Sequence, residues 1–382
     1  MSQKLHSNVH IQLLDVLRGI AASLVVFHHV LRTVVGFDAN TLFNEGVPVW
    51  MNHLFLGDLA VTLFFVLSGT SLAISAFSKA NPINTRKFFI KRFFRIYPLY
   101  VLIILLYFAF RPVYAGYLNA GFATTGVWLT DQFTAPATPV VWLTHLTMTF
   151  NLIGIPTNFN NALWSMPIEM QFYLLFPVMI LLLQAGRRRG LVLMLVFLGA
   201  LYSIERVSGI NIEFIERAWE FGGGVLIGVF WKTIVGFASR RWIRIILGIS
   251  AVLLFEISRW QMQLRLFPNN TFEVIFCFVV IALALGFSSW QARTPLARFF
   301  VNVGVWSYSL YLIHNLLIGA ITPLLHQLGL PPLIYFLIAL PLIYSLALVT
   351  SRFLYTRFEY PFIRVGARYA TKAVQPMRPV HQ

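Results

Sequence analysis

Of the 382 residues, 58% are hydrophobic and only 11% charged, against about a quarter charged in soluble domains. Apolar runs of roughly 20 residues recur along the chain, the length that crosses a ~30 Å hydrocarbon core, which excludes a soluble enzyme and predicts an all-α polytopic membrane protein. The formal net charge of +16 would suit a nucleic-acid partner, but the basic residues sit in short clusters between apolar runs, as membrane anchoring requires, so no nucleic acid is expected.

The apolar runs give about ten transmembrane helices, at residues 13–36, 54–77, 95–111, 168–186, 190–205, 217–232, 243–257, 271–289, 300–322 and 333–355. The first is read as a retained helix rather than a secretory signal, because it carries Arg18, His28 and His29 and lacks a small-residue cleavage site. Alternate loops collect Lys79, Arg86, Lys87, Lys91, Arg92 and Arg95, then Arg187 to Arg189, then Lys232, Arg240, Arg241 and Arg244, then Arg293 and Arg298. That asymmetry places both termini in the cytoplasm. Residues 139–155 are apolar enough for a further span, but crossing there would turn Arg187 to Arg189 outward, so a re-entrant or interfacial helix is expected. Residues 1–365 read as one transmembrane domain, and 366–382, with Pro376 and Pro379, as a basic, disordered cytoplasmic tail. The one cysteine, Cys277, lies in an apolar run and allows neither a disulfide framework nor a thiolate metal site.

Ionisable side chains inside spans are costly and mark candidate sites. On the first helix, Arg18 and His29 are eleven positions apart, which brings them within ~20° of one face, with His29 ~16 Å further along the axis. His29 is a candidate general base, since small shifts move an imidazole across neutral pH; structurally, Arg18 could instead snorkel and His29 bond a carbonyl. In GDLAVTLFFVLSGTSLA, Asp58 stands at the outer end, and the small Ser68 and Gly69 most simply permit close helix packing. In RKFFIKRFFRIYPLY, Arg92 and Arg95 share a helix face and could hold a phosphate-bearing donor, while Lys79, Arg86 and Lys87 read as ordinary anchors. In ALWSMPIEMQFYLLFP, Glu169 and Tyr173 enter a span just after Trp164 and Ser165; the carboxylate suits acid/base work, or pairing with Arg32. WSYSLYLIHN sets Ser307, Ser309, Tyr311 and His314 at helical spacings that could line a polar cavity. Glu220 and Glu273 read as paired structural carboxylates, and Glu359 as a member of an inner-face ion pair.

In order and spacing, LDVLRGIAASLVVFHH, FFVLSG, KRFFRIYPLY, LWSMPIEMQFYLLFP, YSLYLIH and EYPF resemble the membrane-bound acyltransferase 3 family, which includes bacterial O-antigen and exopolysaccharide O-acetylases. The likeness runs over about residues 12–365. It implies transfer of an acyl group, most often acetyl, from cytoplasmic acyl-CoA as co-substrate to a hydroxyl of an extracytoplasmic surface polysaccharide, O-antigen or lipid-linked glycan. The setting would be the bacterial inner membrane, with no bound cofactor and no metal. The family's active-site pair, a basic residue and a histidine with ten residues between them, falls on Arg18 and His29. Its donor-handling basic pair falls on Arg92 and Arg95, and its Trp-Ser-Glu pattern on Trp164, Ser165 and Glu169. Met170 replaces the usual second glutamate and Pro167 the usual serine, so a role needing adjacent carboxylates is not carried over. Some members add an extracytoplasmic esterase-like domain, for which the sequence after the last helix is too short.

The implied chemistry has His29 deprotonating the acceptor, Glu169 or Asp58 balancing the imidazolium, and Arg18 binding the donor; direct transfer and an acyl-histidine intermediate both stay open. Trp164, Ser165, Tyr173, Ser68 and His314 would support the acceptor or the fold, and Trp50, Trp128, Trp142 and Trp260 in outward loops could stack on sugars. A proton-coupled secondary transporter is the main alternative, because ten spans with buried His, Arg and Glu describe carriers too, although the chain has no two related halves. A non-catalytic scaffold is the third reading.

Overall fold

The computed structural model describes residues 11–35, 53–78, 84–122, 127–157, 159–208, 213–264 and 270–372. Trp50, Lys79, Pro376 and Pro379 lie outside the described residues, as does the side chain of Trp128. The described residues form helices, with no strand among them: α1 (Gln12–Val35), α2 (Gly57–Phe77), α3 (Thr85–Asn119), α4 (Val127–Thr134), α5 (Pro139–Leu146), α6 (Ser165–Gln184), α7 (Arg187–Ser208) and α8 (Glu213–Glu216). There follow α9 (Ala218–Val229), α10 (Trp231–Ala238), α11 (Arg241–Leu264), α12 (Thr271–Leu285), α13 (Pro295–Val305), α14 (Ser307–His326), α15 (Pro332–Leu354) and α16 (Tyr360–Lys372).

Among the described residues six helical stretches are long and apolar enough to cross a membrane, and a seventh counts if α8–α9 and α10, bent by 72°, make one broken span. The chain is a multi-pass membrane protein. Each of the ten apolar segments falls on helix, yet not all qualify as complete spans. Residues 190–205 and 243–257 lie in α7 and α11, which begin at Arg187 and Arg241; α11 also carries Glu256 and Arg259. Residues 271–289 shorten to the 15-residue α12, and 300–322 breaks at Trp306 into α13 and α14.

Two boundaries move for a physical reason. The third segment begins at Thr85 rather than 95: the side chain of Asn84 accepts from the Lys87 amide at 2.9 Å and caps a 35-residue helix. Charge marked the membrane edge in the sequence, whereas the helix runs through that edge and on past Pro98 and Pro112, each of which omits one backbone hydrogen bond. At the other end, residues 366–372 are not a disordered tail. They continue α16 to Lys372 against α3, with Gly366 so close to Phe94 that an added Cβ would stand 2.5 Å from the Phe94 Cβ, and Tyr369 stacked on the Phe94 ring at 5.8 Å.

Residues 139–155 form no continuous span. The eight residues of α5 extend only ~12 Å, and a 3₁₀ turn at Phe150–Leu152 follows. The Tyr100 hydroxyl donates to the His145 carbonyl at 2.8 Å and pins this segment to α3.

Small residues set the tightest helix contacts. A Cβ on Gly69 would lie 2.2 Å from the Phe221 carbonyl oxygen, and one on Gly224 would lie 2.2 Å from that of Val66, so α2 and α9 meet backbone to backbone. The α1–α13 contact is tighter still: a Cβ on Gly304 would stand 2.0 Å from the Asp15 carbonyl oxygen. Two ion pairs brace the later helices, Arg217–Glu220 at 3.1 Å and Arg259 to Glu273, and Asn270 donates to Glu220 at 2.6 Å.

Candidate active site

A cavity of ≈ 390 Å³ opens between α1, α2, α3, α6, α14 and the segment joining α15 to α16. Three guanidiniums, those of Arg18, Arg92 and Arg95, line it together with three carboxylates, those of Asp15, Glu169 and Glu359. Asp15 accepts from Arg18 at 2.7 Å, and Arg18 also donates to Ser71. That leaves Arg18 oriented and its charge balanced within α1. Arg92 lies 5.5 Å from the centre of the Tyr173 ring and 5.7 Å from that of Phe88, two cation–π contacts that suit a delocalised guanidinium. Arg95 feels Glu359, Tyr173 and Glu169 electrostatically. Among the described residues neither Arg92 nor Arg95 closes a salt bridge, so both can engage an anionic group entering the cavity.

Glu169 sits one turn before Tyr173 on α6; its Oε1 accepts from the Tyr173 hydroxyl and, at 3.4 Å, from Ser68. The neighbouring pair Ser68–Gly69 therefore divides its work: Gly69 serves helix packing, as the sequence suggested, while Ser68 faces the cavity. Ser165 bonds the Tyr311 hydroxyl at 2.9 Å, and both line the cavity. Trp164 is not presented to it. Its ring packs edge-on against Phe65 and under Arg217, 5.0 Å from the guanidinium, where it ties α2 to the start of α9.

His29 occupies a different level. Eleven residues past Arg18 along α1 is ~16 Å of rise. There its ring meets His28 at 5.1 Å and His314 at 5.1 Å, and Arg32 is an electrostatic neighbour. Neither carboxylate expected to balance His29 is placed for it. Glu169 is held at the arginine cavity, since the first turns of α6 pack against Phe88 and Arg92 of α3. Asp58 is exposed at the start of α2 and acts on His28, whose ring lies against Gly57. Nor does Glu169 pair with Arg32. The two levels communicate through α14: Tyr311 lines the cavity, its ring is 5.9 Å from that of His314, and His314 touches His29.

The acyltransferase domain that defines the acyltransferase 3 family matches residues 11–352, nearly the whole chain. The chain belongs to that family. It is similar to the peptidoglycan O-acetyltransferase OatA of Listeria monocytogenes, at 23% identity over 346 residues, 84% of this chain and 51% of that one. Similarity to the O-acetyltransferase OatA of Staphylococcus aureus is 26% identity over 385 residues, 93% of this chain and 58% of that one. The nodulation protein 10 of Rhizobium leguminosarum is 25% identical over 249 residues, 60% of this chain and 62% of that one. The chain thus spans little more than half the length of the two O-acetyltransferases. No solved structure matches it.

In this family member the sequence understated Glu359. Rather than an inner-face ion pair, it is a buried carboxylate on the cavity wall that accepts from Ser309 at 2.7 Å through Oε2, while Oε1 has no hydrogen-bond partner among the described residues. It is aimed inward by a π-helical turn, Tyr355–Glu359, set in an otherwise α-helical stretch. Such single turns re-register a helix face and frequently mark functional sites, and no local pattern in FEYPFIR announces one. Replacing Glu359 with glutamine keeps an acceptor for Ser309 but removes the carboxylate beside Arg95. Acyl transfer should fall at least ~10-fold, the scale of a charge-assisted contact, while the thermal unfolding midpoint moves little; initial rates and unfolding in detergent check both.

Proposed function

We propose that the protein is a membrane O-acetyltransferase, moving an acetyl group from cytoplasmic acyl-CoA to a hydroxyl of an extracytoplasmic glycan. The acceptor class is peptidoglycan, surface polysaccharide, O-antigen or a lipid-linked precursor, and the setting is the bacterial inner membrane, crossed about ten times with both termini inside. The observation that carries this reading is the two-level arrangement on α1. Arg18 contributes to an open cavity that holds Arg92 and Arg95, and His29 stands ~16 Å further along the same helix beside a second histidine. A phosphate-bearing donor and a reacting acceptor hydroxyl need different surroundings, which the arginine cavity and the histidine cluster would provide.

Arg92 and Arg95 would hold the anionic part of the donor, since their planar forks suit phosphate oxygens and are not consumed by internal salt bridges. Arg18, fixed by Asp15 and Ser71, would guide the donor chain along α1. At the histidine level, His29 takes the proton of the acceptor hydroxyl as the oxygen attacks the thioester carbonyl carbon. The new C–O bond forms, the C–S bond breaks, and the imidazolium returns its proton to the departing thiolate. The thioester brings its own activation, so the residues need only position, deprotonate and reprotonate.

Inverted membrane vesicles bearing the full chain and its native envelope glycans, given acetyl-labelled CoA, test the reading. Label should appear in the glycan fraction with one free CoA released per acetyl transferred. Passage of a solute without CoA release, and an unlabelled glycan, would overturn it in favour of a carrier.

A further inference from the structure

A general base of this kind works best when its second ring nitrogen is held by a partner, and neither expected carboxylate reaches His29. What lies against it is another imidazole. His314 is fully buried on α14, with its ring centre 5.1 Å from that of His29 and tilted by 36°. From that separation a turn of either ring would bring facing nitrogens within hydrogen-bond range, a bond not formed among the described residues as they stand. Its Nδ1 lies 3.3 Å from the Leu310 carbonyl oxygen, one turn back on the same helix. A carbonyl only accepts, so Nδ1 carries the proton and donates, and Nε2 is left as a bare lone pair. Among the described residues Nε2 is buried with no hydrogen-bond partner. An unpaired buried acceptor is unfavourable to keep, which points to a task that arises during turnover.

We infer that His314 is a positioning residue for His29. During turnover its Nε2 accepts the N–H of the His29 ring, keeping the other nitrogen toward the acceptor hydroxyl and steadying the imidazolium once it forms. His314 holds this hydrogen bond without taking the proton, which passes from hydroxyl to His29 and from His29 to the leaving thiolate. The role parallels that of the third member of a nucleophile–base–orienter set, filled by a neutral acceptor instead of a carboxylate. It rests on the assignment of His29 as the base.

The test uses the same vesicles with acetyl-CoA as the variable substrate. His314→Leu removes the acceptor and should lower kcat by ~10- to 100-fold while leaving the KM for acetyl-CoA within about twofold, as expected for a contact to a charge that exists only in the transition state. His314→Gln retains an acceptor oxygen and should recover most of that loss. A His314→Leu protein with kcat within about twofold of the parent, or a glutamine variant no better than the leucine variant, would overturn the inference. Should the leucine variant fail to accumulate in the membrane, His314→Asn, whose amide stops short of His29, takes its place as the low-activity variant. His29→Ala measured in parallel separates the two claims. If it keeps full activity, the base assignment fails; if it is inactive while His314→Leu is unaffected, only the positioning role falls.

Discussion

Replacing His29 with alanine should lower acetyl transfer by about 10² to 10⁴-fold, the range over which a general base contributes. The expected rise in barrier is roughly 3 to 5 kcal/mol. The loss should appear in kcat, since His29 lies in the histidine cluster rather than among the cavity-lining residues that would bind the donor. His28 provides the internal control. It is adjacent in sequence, but its ring packs on Gly57 and, edge-on at 5.6 Å, on Phe55, as a structural side chain does. His28→Ala should therefore cost stability more than turnover and retain activity within about tenfold, less than a general base supplies. Steady-state rates and unfolding midpoints of both proteins decide the matter, and equal kinetic losses at the two positions would count against a base at His29.

The largest effect on stability is expected at Gly304. Alanine there adds only a methyl group, yet that carbon would stand 2.0 Å from the Asp15 carbonyl oxygen, which belongs to backbone and cannot rotate away. Either α13 moves off α1 or both helices bend. Overpacking of this kind costs about 1 to 3 kcal/mol, and a backbone clash belongs at the upper end. Because Gly304 and Asp15 both line the cavity, donor affinity should suffer along with the unfolding midpoint. Gly248→Ala is the matched comparison: Gly248 lies within α11, and its added Cβ meets nothing within 4 Å. There the same substitution should be neutral or stabilise by up to ~1 kcal/mol, because alanine is the better helix former. Thermal unfolding in detergent should thus show opposite or unequal shifts for two chemically identical changes.

How far the site was legible in the sequence differs residue by residue. The eleven-residue separation of Arg18 and His29 is a local, periodic fact, and one helix preserves it. Arg92 and Arg95, three apart beside an apolar run, were equally readable, and the structure puts both on the cavity with Arg18. The partnership of Glu169 was not readable. Its sequence neighbours gave an ionisable group at a membrane edge without saying which cation or hydroxyl it would meet. The first turns of α6 then delivered it to Tyr173 and Ser68 rather than to a histidine. Glu359 was further out of reach, because it depends on one π turn that shifts which face of the helix looks inward. His314 was visible as a polar residue on an apolar helix, but only the packing of α14 beside α1 brings its ring against His29.

By itself the sequence determined the solvent of this protein, its helical class and the residues that are too costly to leave in lipid without a use. These follow from composition and from periods of a few residues, which the chain carries locally. The tertiary structure decided which of those residues meet: three arginines and three carboxylates around one cavity, and two histidines from opposite ends of the chain at another level. Charges in a low-dielectric interior act strongly on whatever lies within a few ångströms, so pairing is set by how helices pack, and that is a property no single segment possesses.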